Sequence, residues 1–374
     1  MTGLVPAADA AALRPLPQDV ALDRALEHFV KVRGGPPGIA VVVHRGDDVR
    51  LHTAGVADVR SGVPPRLTDH MRLASVAKAF SGAAALSVVA DGLLSLDTTI
   101  GEVLPALPAA WSQVTLGQLL QHTSGIPDFS QTREFQEAVA ASLLRAPPPI
   151  ELLSFVADEP LLFPPGSRYQ YSNSDNIVVA LMLEAVTGQP YEQVLRERVY
   201  GPLGLTRTSL PRGPRLPDPS IHGYVVDPLE DVTTLFAAGW AWASGGVVST
   251  PRDADRFVRG YVTGATTDPA TRAEQFQFIR GGHSEPPGPG VNSAGLGIFR
   301  YETACGTVYG HTGNTPGYTQ FIAASADGTR STTVSVNAQI TPGSDPARFG
   351  LLRRIFGLAV CAAMADPSKG ISSP

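Results

Sequence analysis

A serine and a lysine three residues apart stand at the start of one of the most apolar stretches of the chain. Ser75 and Lys78 precede residues 79–89, which are apolar on almost every helical face and so predict a buried helix. Because of their spacing, both side chains project from the same side of the first helical turn. A serine there lies near the positive end of the helix dipole, which favours its alkoxide. The pair predicts a nucleophile with a base beside it.

Lys78 is one of only three lysines among the 29 basic residues. Burial against an apolar helix removes hydration from an ammonium group and lowers its pKa, so that the neutral amine can accept a proton. An arginine could not take this role, because its guanidinium stays charged. The alternative is a helix-capping Ser75 and a lysine whose amine reaches solvent. Ser-x-x-Lys arises by composition in roughly one such chain in five, so this motif alone is weak.

A second motif, Tyr-Gln-Tyr-Ser-Asn at 169–173, follows a turn-forming Pro-Pro-Gly at 164–166. Its Tyr171 and Asn173 can point the same way into a cleft. A phenolic oxygen between a lysine and a serine could relay a proton, and the asparagine amide could hold a substrate carbonyl. Taken alone, the motif favours the structural alternative, a buried tyrosine followed by a turn asparagine.

A third motif, His311-Thr312-Gly313-Asn314, enters a strand-like region near the C-terminal end. Gly313 would let a ligand approach the backbone closely, and an edge strand here could pair with an extended substrate. His311 could donate to an anion or tune Lys78. A structural histidine on a strand is the alternative.

Strand-like segments lie at both ends of the chain, with helical stretches between them. Residues 38–44 and 49–54 predict one hairpin, and residues 317–325 and 332–336 predict another. Residues 21–33 predict an amphipathic helix. Together these elements predict an α+β fold in which one antiparallel sheet, formed by both chain ends and flanked by helices, carries an inserted, mainly helical lobe.

This architecture implies a division of the chain into one domain and two flexible ends. The predicted parts are a lead-in at 1–20, a domain at 21–366 and a tail at 367–374, the domain having a sheet lobe at about 21–72 and 291–366 and a helical lobe at about 73–290. A last helix is predicted to place five apolar residues on one face, namely Phe349, Leu352, Phe356, Val360 and Ala363. The cleft between the two lobes is the expected place for a site.

Composition bounds the class of protein. The chain has 374 residues, of which 43% are hydrophobic and 17% charged, so a large core is available and a disordered protein is excluded. The net charge is −5 without a basic run, so we expect no nucleic-acid partner. No apolar run reaches the roughly 18 residues of a membrane span. Residues 1–12 show no secretory pattern, which as written predicts a cytoplasmic protein.

Cys305 and Cys361 are the only cysteines, too few for a disulfide scaffold or a zinc site. Their spacing leaves two interpretations open, a pair of buried thiols or one disulfide. A disulfide would point to an oxidising compartment, in conflict with the missing secretory pattern. No dinucleotide, phosphate-loop or metalloprotease motif is present, so we expect neither a cofactor nor a metal.

The order and spacing of the three motifs resemble those of the serine β-lactamase and penicillin-binding DD-peptidase superfamily, in its class C-like branch. The His-Thr-Gly form at 311–313 is similar to that of streptomycete-type DD-carboxypeptidases, D-aminopeptidases, D-amino-acid amidases and related esterases. The resemblance covers about 21–365 and includes landmarks at 121–126, 201–205 and 243–250 that we interpret as structural. His122 belongs to the first landmark.

The resemblance implies a role for each motif residue. Ser75 would be the acylated nucleophile, and Lys78 and Tyr171 would share the general-base work. Asn173 would bind the substrate amide, and the backbone amides of Ser75 and Asn314 would form the oxyanion hole. The strand residues His311, Thr312 and Gly313 would be part of the substrate-binding site.

Two positions depart from the pattern of DD-carboxypeptidases, in which an arginine grips the terminal carboxylate of the substrate. Phe299 stands at the aligned position with Arg300 next to it, and a shift by one residue would let Arg300 serve. Asn314 stands where those enzymes have a hydroxyl residue. Both departures favour an amide, ester or amine-acceptor substrate. Relatives with cysteines at the places of Cys305 and Cys361 have them bridged, so the resemblance favours a disulfide and a site of action outside the cytoplasm.

The predicted activity is therefore that of a serine hydrolase with an acyl-enzyme intermediate. We expect it to act on D-amino-acid-containing peptides or amides, so that its partner is a small-molecule or peptide substrate with an amide or ester bond. An esterase or transacylase on the same fold is the alternative. A binder that recognises penicillin without catalysis is a further one, which the intact Ser75, Lys78 and Tyr171 disfavour.

Overall fold

An eight-stranded antiparallel sheet forms the centre of the protein, and the computed structural model describes residues 16–366. The strands are β1 Gly38–Arg45, β2 Asp48–Gly55, β3 Met71–Arg72, β4 Tyr224–Val226, β5 Leu229–Asp231, β6 Val248–Ser249, β7 Ile279–Arg280, β8 Val291–Ala294, β9 Phe299–Thr303, β10 Gly306–Thr315, β11 Tyr318–Ala324 and β12 Arg330–Val336. The order in the large sheet is β2-β1-β12-β11-β10-β9-β8-β7. Strands from the two chain ends meet where β1 pairs with β12, which confirms the predicted fold class.

Helices cover both faces of this sheet. They are α1 Pro17–Lys31, α2 Ala77–Ala90, α3 Ile100–Val103, α4 Leu116–Leu120, α5 Arg133–Ala141, α6 Asn173–Thr187, α7 Tyr191–Leu195, α8 Gly201–Leu203, α9 Trp242–Gly245, α10 Pro251–Thr263, α11 Pro269–Gln275 and α12 Pro346–Met364. None of the helices within 16–366 is long and apolar enough to cross a membrane.

The two faces of β11 enter different cores. Phe321 and Ala323 pack with α1 and α12, whereas Ile322 and Ala324 pack with the helices of the central region. Alternation along a strand sends neighbouring side chains to opposite faces. The predicted apolar face of α12 is buried in the first of these cores, with Phe349, Leu352, Phe356, Val360 and Ala363 all less than a tenth exposed.

Three predicted boundaries need correction. Helix α1 begins at Pro17, so residues 17–20 are helical and are not part of a lead-in. Proline is compatible with a first helical turn, because the amide it lacks would have no partner there. The same helix ends at Lys31, two residues before the predicted end. Strand β7 lies within the segment that was predicted to be mainly helical. Its two residues are too few to show the period of a strand, so the sequence pattern does not predict it. The predictions for 1–15 and 367–374 lie outside the described residues.

A disulfide between Cys305 and Cys361 ties the turn between β9 and β10 to α12. The structure thus contains the bridge that the spacing of the cysteines left open. It joins the sheet to the helix that covers it, across a sequence separation of 56 residues.

Candidate active site

Ser75 lies in a single 3-10 turn, Ala74–Val76, that leads directly into α2. Ala74 has a φ of 50°, a left-handed conformation that is strained in a residue with a side chain. The amide of Ser75 belongs to the first turn of this helical segment, where backbone N–H groups have no intrahelical acceptor. The turn therefore presents both the hydroxyl and the amide of Ser75 for chemistry.

Lys78 reaches back from the first turn of α2 into a ring of oxygen atoms. Its Nζ lies 3.1 Å from Ser75 Oγ, 2.6 Å from Asn173 Oδ1 and 2.7 Å from the carbonyl oxygen of Ser244. The residue is only 1% exposed. Two of the three neighbours can only accept a hydrogen bond, whereas the hydroxyl of Ser75 can donate one. A neutral amine has two N–H groups for the two acceptors and one lone pair for the Ser75 proton.

Burial is the main influence on the protonation of Lys78. It lowers the pKa of the amine to about 7, against the attraction of the carboxylates of Asp128 and Glu285, which act in the opposite direction. A base with a pKa near neutrality can both take and return a proton. The sequence prediction of a lysine with a lowered pKa is thus supported by its surroundings.

The Tyr171 ring lies against Lys78, with 4.9 Å between its centroid and the Nζ atom. Its hydroxyl is buried and makes no hydrogen bond within 16–366. Burial raises the pKa of this phenol well above its usual value, and interaction with the Ser75 side chain offsets only a part of the rise. Tyr171 is consequently a neutral phenol beside an amine that loses its proton near pH 7, an arrangement suited to proton transfer.

Asn173, the first residue of α6, has its side-chain amide fully occupied. Its Nδ2 donates to Asp128 Oδ2 over 2.9 Å and to Ser130 Oγ over 2.9 Å. These two contacts orient the amide so that Oδ1 faces Lys78. The structure therefore places Asn173 first of all as the group that orients the lysine, and its contact with a substrate stays a prediction.

Strand β10 passes directly beside the nucleophile. It pairs with β9 only as far as Gly310, whereas its pairing with β11 continues to Thr315. A Cβ atom at Gly313 would lie 2.6 Å from the carbonyl oxygen of Leu73 and 2.8 Å from the amide nitrogen of Ser75. The absence of a side chain at Gly313 serves the approach of the strand to the turn of Ser75.

Asn314 is the next residue of β10 and faces the same cavity as Ser75. Its Nδ2 donates to the backbone oxygen of Glu285 over 3.2 Å, and its Oδ1 accepts from Gln339 over 2.6 Å. The structure thus brings together the two predicted oxyanion-hole residues on one cavity.

His311 and Thr312 do not line this cavity. His311 is 1% exposed, and burial lowers its pKa to about 3, so the ring is neutral. Its Nδ1 lies 2.5 Å from the Thr312 carbonyl oxygen and must carry the ring proton, which leaves Nε2 without a hydrogen. The predicted donation to an anion is incompatible with this tautomer. The Thr312 hydroxyl is bound to Ser284 Oγ at 2.6 Å and has a structural role.

Phe299 and Arg300 also lie outside the cavity wall. The Phe299 ring packs edge-on against His311, with 4.9 Å between the centroids. Arg300 makes an ion pair with Glu302 at 3.0 Å, and its guanidinium lies over the Phe278 ring. The structure brings neither residue to Ser75, and Arg300 is not positioned to bind a substrate carboxylate there.

The cavity in front of Ser75 has a volume of about 720 Å³. One side, here called the apolar wall, consists of Phe129, Phe135, Val139, Leu143, Leu235, Phe236 and Trp240. Phe135 contacts both Phe129 and Trp240 edge-on, with centroids 5.0 and 5.7 Å away. Among the described residues that line the cavity there is no Lys, Arg or His, and Glu285 supplies the one carboxylate.

Sequence reasoning missed four residues of the site: Asp128, Ser130, Ser244 and Glu285. Asp128 and Ser130 form an Asp-x-Ser turn, in which Asp128 Oδ1 accepts from the Ser130 amide at 2.9 Å, and this pattern could have been read from the sequence. Ser244 acts through its carbonyl oxygen, which its residue type does not reveal. Glu285 lies in a Pro/Gly-rich loop without a motif.

Tyr171 packs against His122, which forms a buried pair with Asp175. His122 Nδ1 lies 2.8 Å from Asp175 Oδ2, and Ser124 Oγ donates to the other carboxyl oxygen over 2.5 Å. Burial lowers the pKa of His122 to about 3 and raises that of Asp175 well above its usual value. Both directions favour a neutral pair that holds its proton on Asp175. The His122 ring packs on Tyr171 with 4.6 Å between centroids, in line with its predicted structural role.

Comparison with known proteins places these features among related chains. Residues 22–355 match the family described as Beta-lactamase. A D-aminopeptidase of Cereibacter sphaeroides is 31% identical over 204 residues, which are 54% of this chain and 39% of the relative. The chain thus spans about two fifths of the length of that relative.

Solved structures are similar over nearly the whole chain. A D-stereospecific amidohydrolase from Streptomyces sp. has a TM-score of 0.78 and 27% identity, covering 90% of this chain and 98% of that one. The D-amino acid amidase from Ochrobactrum anthropi SV3, in complex with L-phenylalanine amide, has a TM-score of 0.80 at 24% identity and covers 95% and 99% of the two chains. The second similarity supports the fold alone.

Proposed function

The chain belongs to the beta-lactamase family, and from this premise we propose that it is a serine hydrolase that cleaves D-amino-acid amides or peptides through an acyl-enzyme. The observation that carries the proposal is the position of the buried Lys78 amine 3.1 Å from the Ser75 hydroxyl. With its two N–H groups directed at Asn173 and Ser244, the amine keeps its lone pair for the serine proton.

Acylation begins when Ser75 Oγ bonds to the carbonyl carbon and its proton moves to Lys78 Nζ. The backbone amides of Ser75 and Asn314 receive the negative charge that develops on the carbonyl oxygen. Collapse of this intermediate breaks the carbon–nitrogen bond. The leaving amine takes the proton from Lys78 through the neutral hydroxyl of Tyr171. Water then attacks the acyl carbon and gives a proton to Lys78. Lys78 returns this proton to Ser75 Oγ as the carbon–oxygen bond breaks and the acid leaves.

The lining of the cavity supports an amide over a substrate with a terminal carboxylate. A carboxylate in a partly buried site needs a cationic partner, and the described lining holds no Lys, Arg or His. Arg300 is engaged with Glu302 elsewhere. The names of the related D-aminopeptidase and D-stereospecific amidohydrolase agree with a substrate whose scissile bond joins a D-amino acid to an amine.

An esterase is the second candidate, because the apolar wall would accept a hydrophobic acyl group whatever its leaving group. A substrate panel tests both, using D-phenylalanine amide, L-phenylalanine amide, a D-Ala-D-Ala peptide and a short-chain nitrophenyl ester. We expect the highest kcat/KM with the D-amide and little hydrolysis of the D-Ala-D-Ala peptide. A clear preference for the ester would establish the esterase instead.

The variant Ser75→Ala is the control for this panel. We expect loss of activity on the order of 10⁶-fold, as for the removal of a catalytic serine. Mass spectrometry after treatment with a fluorophosphonate should show one adduct, on Ser75. Amide hydrolysis that survives in Ser75→Ala, or the absence of any turnover and adduct in the wild type, would overturn the proposed function.

A further inference from the structure

Glu285 places an unpaired carboxylate in the wall of the catalytic cavity. It lies in the loop between β7 and β8, and part of the residue is exposed to solvent. Within residues 16–366, neither carboxylate oxygen has a hydrogen bond or an ion pair. By contrast, the nearby carboxylate of Asp128 is bound to Asn173 and Ser130. Glu285 is thus a charged group of the cavity whose contacts are left for a ligand.

The backbone that carries Glu285 is attached to β10. The hydroxyls of Ser284 and Thr312 are 2.6 Å apart, and Asn314 Nδ2 donates to the Glu285 carbonyl oxygen. Thr312 also contacts the carbonyl oxygen of Pro286. Three successive loop residues are therefore bound to the strand that passes Ser75. This attachment sets the position of the carboxylate relative to the predicted oxyanion hole.

The charges around Glu285 favour a cationic ligand group. Among residues 16–366, no cationic side chain lines the cavity wall, and desolvation together with the charge of Asp128 raises the pKa of Glu285. A cation bound next to Glu285 would counteract both the desolvation and the repulsion from Asp128, because it gives the carboxylate an oppositely charged partner. Lys78 is the nearby cation when protonated, but its three contacts are to Ser75, Asn173 and Ser244.

We propose that Glu285 binds the α-ammonium group of the acyl donor, so that the site selects amides of amino acids with a free amino group. This inference rests on the proposed function. A substrate with its carbonyl carbon at Ser75 would place its side chain on the apolar wall and its ammonium group at Glu285. Three different contacts around one α-carbon make the site sensitive to chirality. The pocket is in this way matched to a hydrophobic amino-acid amide.

The test compares two substrates that differ only in the charge of the amino group. The kcat/KM values of D-phenylalanine amide and N-acetyl-D-phenylalanine amide are measured for the wild type, Glu285→Gln and Glu285→Asp. We expect the ratio of the two kcat/KM values to fall by about 10- to 100-fold in Glu285→Gln, the range for a hydrogen bond to a charged group. The Glu285→Asp variant should keep a part of the preference.

A matched control is Glu134→Gln, which makes the same change on α5 outside the cavity lining, where Glu134 is exposed next to Arg133. Its ratio should stay within about twofold of the wild type. A ratio unchanged in Glu285→Gln, with both substrates slowed alike, would show that Glu285 acts only on Lys78 and would overturn the inference. Failure of the proposed function has a different result, namely no Ser75-dependent turnover of either amide.

Discussion

The Nζ atom of Lys78 lies closer to Asn173 than to the serine it is expected to deprotonate, at 2.6 Å from Oδ1 of the amide. Because the Asn173 amide is oriented from its other end by Asp128 and Ser130, it works as a fixed acceptor for one N–H of the lysine. The direction of the lysine lone pair therefore depends on a residue of another helix. Two of the predictions below follow from this arrangement.

Replacing Asn173 should change the pH dependence of the reaction. In Asn173→Asp a carboxylate would stand beside the amine, raise the pKa of Lys78 and move the rising limb of kcat/KM to higher pH. In Asn173→Ala the lysine loses one acceptor, and we expect kcat to fall by about 10²-fold with a smaller change in KM. The pH–rate profiles of both variants check this. If the rising limb of kcat/KM in Asn173→Asp lies at the same pH as in the wild type, the contact between residue 173 and Lys78 is contradicted.

The wild-type profile should itself report the lysine. Burial lowers the pKa of Lys78 to about 7, and the reaction needs the neutral amine. The neutral fraction grows with pH, so kcat/KM should rise through about pH 7 and then level off. Lys78→Arg removes this base, because a guanidinium stays charged, and should lower kcat/KM by about 10³-fold or more. Appreciable activity in this variant would disprove the neutral-amine role.

Gly313→Ala should separate β10 from the turn of Ser75. The added Cβ would meet the Leu73 carbonyl oxygen at 2.6 Å and the Ser75 nitrogen at 2.8 Å, and neither backbone atom can move independently. We expect a large loss of kcat/KM and a destabilisation of about 1–3 kcal/mol, typical of overpacking. Gly343→Ala is the control, since a Cβ there meets no atom within 4 Å. Equal activity of the two variants would refute the close approach.

The state of Asp175 can be tested by stability measurements. The protonated carboxyl and an asparagine amide can make the same two contacts, to His122 and Ser124. The raised pKa means that the folded protein holds a proton on Asp175 that the unfolded chain releases above about pH 4, so the contribution of Asp175 to stability falls as pH rises. Asp175→Asn avoids this loss. Its stability relative to the wild type, measured by urea denaturation, should therefore increase as the pH is raised from about 4 to about 7.

If Asp175→Asn gains the same stability over the wild type at about pH 4 and at about pH 7, Asp175 is ionised in the folded protein. Asp175→Ala is the companion variant, because it leaves His122 and Ser124 without their buried partner. We expect it to cost about 1–3 kcal/mol for each unsatisfied group.

The disulfide should contribute strongly to stability. The bridge joins two cysteines 56 residues apart in the sequence. In the chain-entropy treatment, it lowers the entropy of the unfolded chain and so raises the free energy of unfolding by about 4 kcal/mol. Chemical denaturation of the double variant Cys305→Ser, Cys361→Ser should show a loss of this order. Kinetics on the folded variant should be close to wild type, because neither cysteine lines the cavity. Unchanged stability would indicate that the thiols are not bonded in solution.

Much of the fold was predictable because strand-like runs divided by short turn sequences lie at both ends of the chain. These runs form the β1–β2 hairpin at 38–55 and the β11–β12 hairpin at 318–336. Strand β7 was not predictable, since two residues show no period and its pairing with β8 depends on the rest of the sheet. Helix α1 begins earlier than its apolar pattern, at a proline that the pattern does not include.

The sequence by itself determined which groups were available for chemistry: a serine and a lysine one helical turn apart, a tyrosine and a glycine in ordered motifs. It could not show that the Ser244 carbonyl holds the lysine or that Arg300 is engaged elsewhere, because such contacts depend on where distant segments pack. The protonation of Lys78 was likewise decided by the tertiary structure. Desolvation acts on an atom only through the surface that covers it, and most of that surface comes from residues far away along the chain.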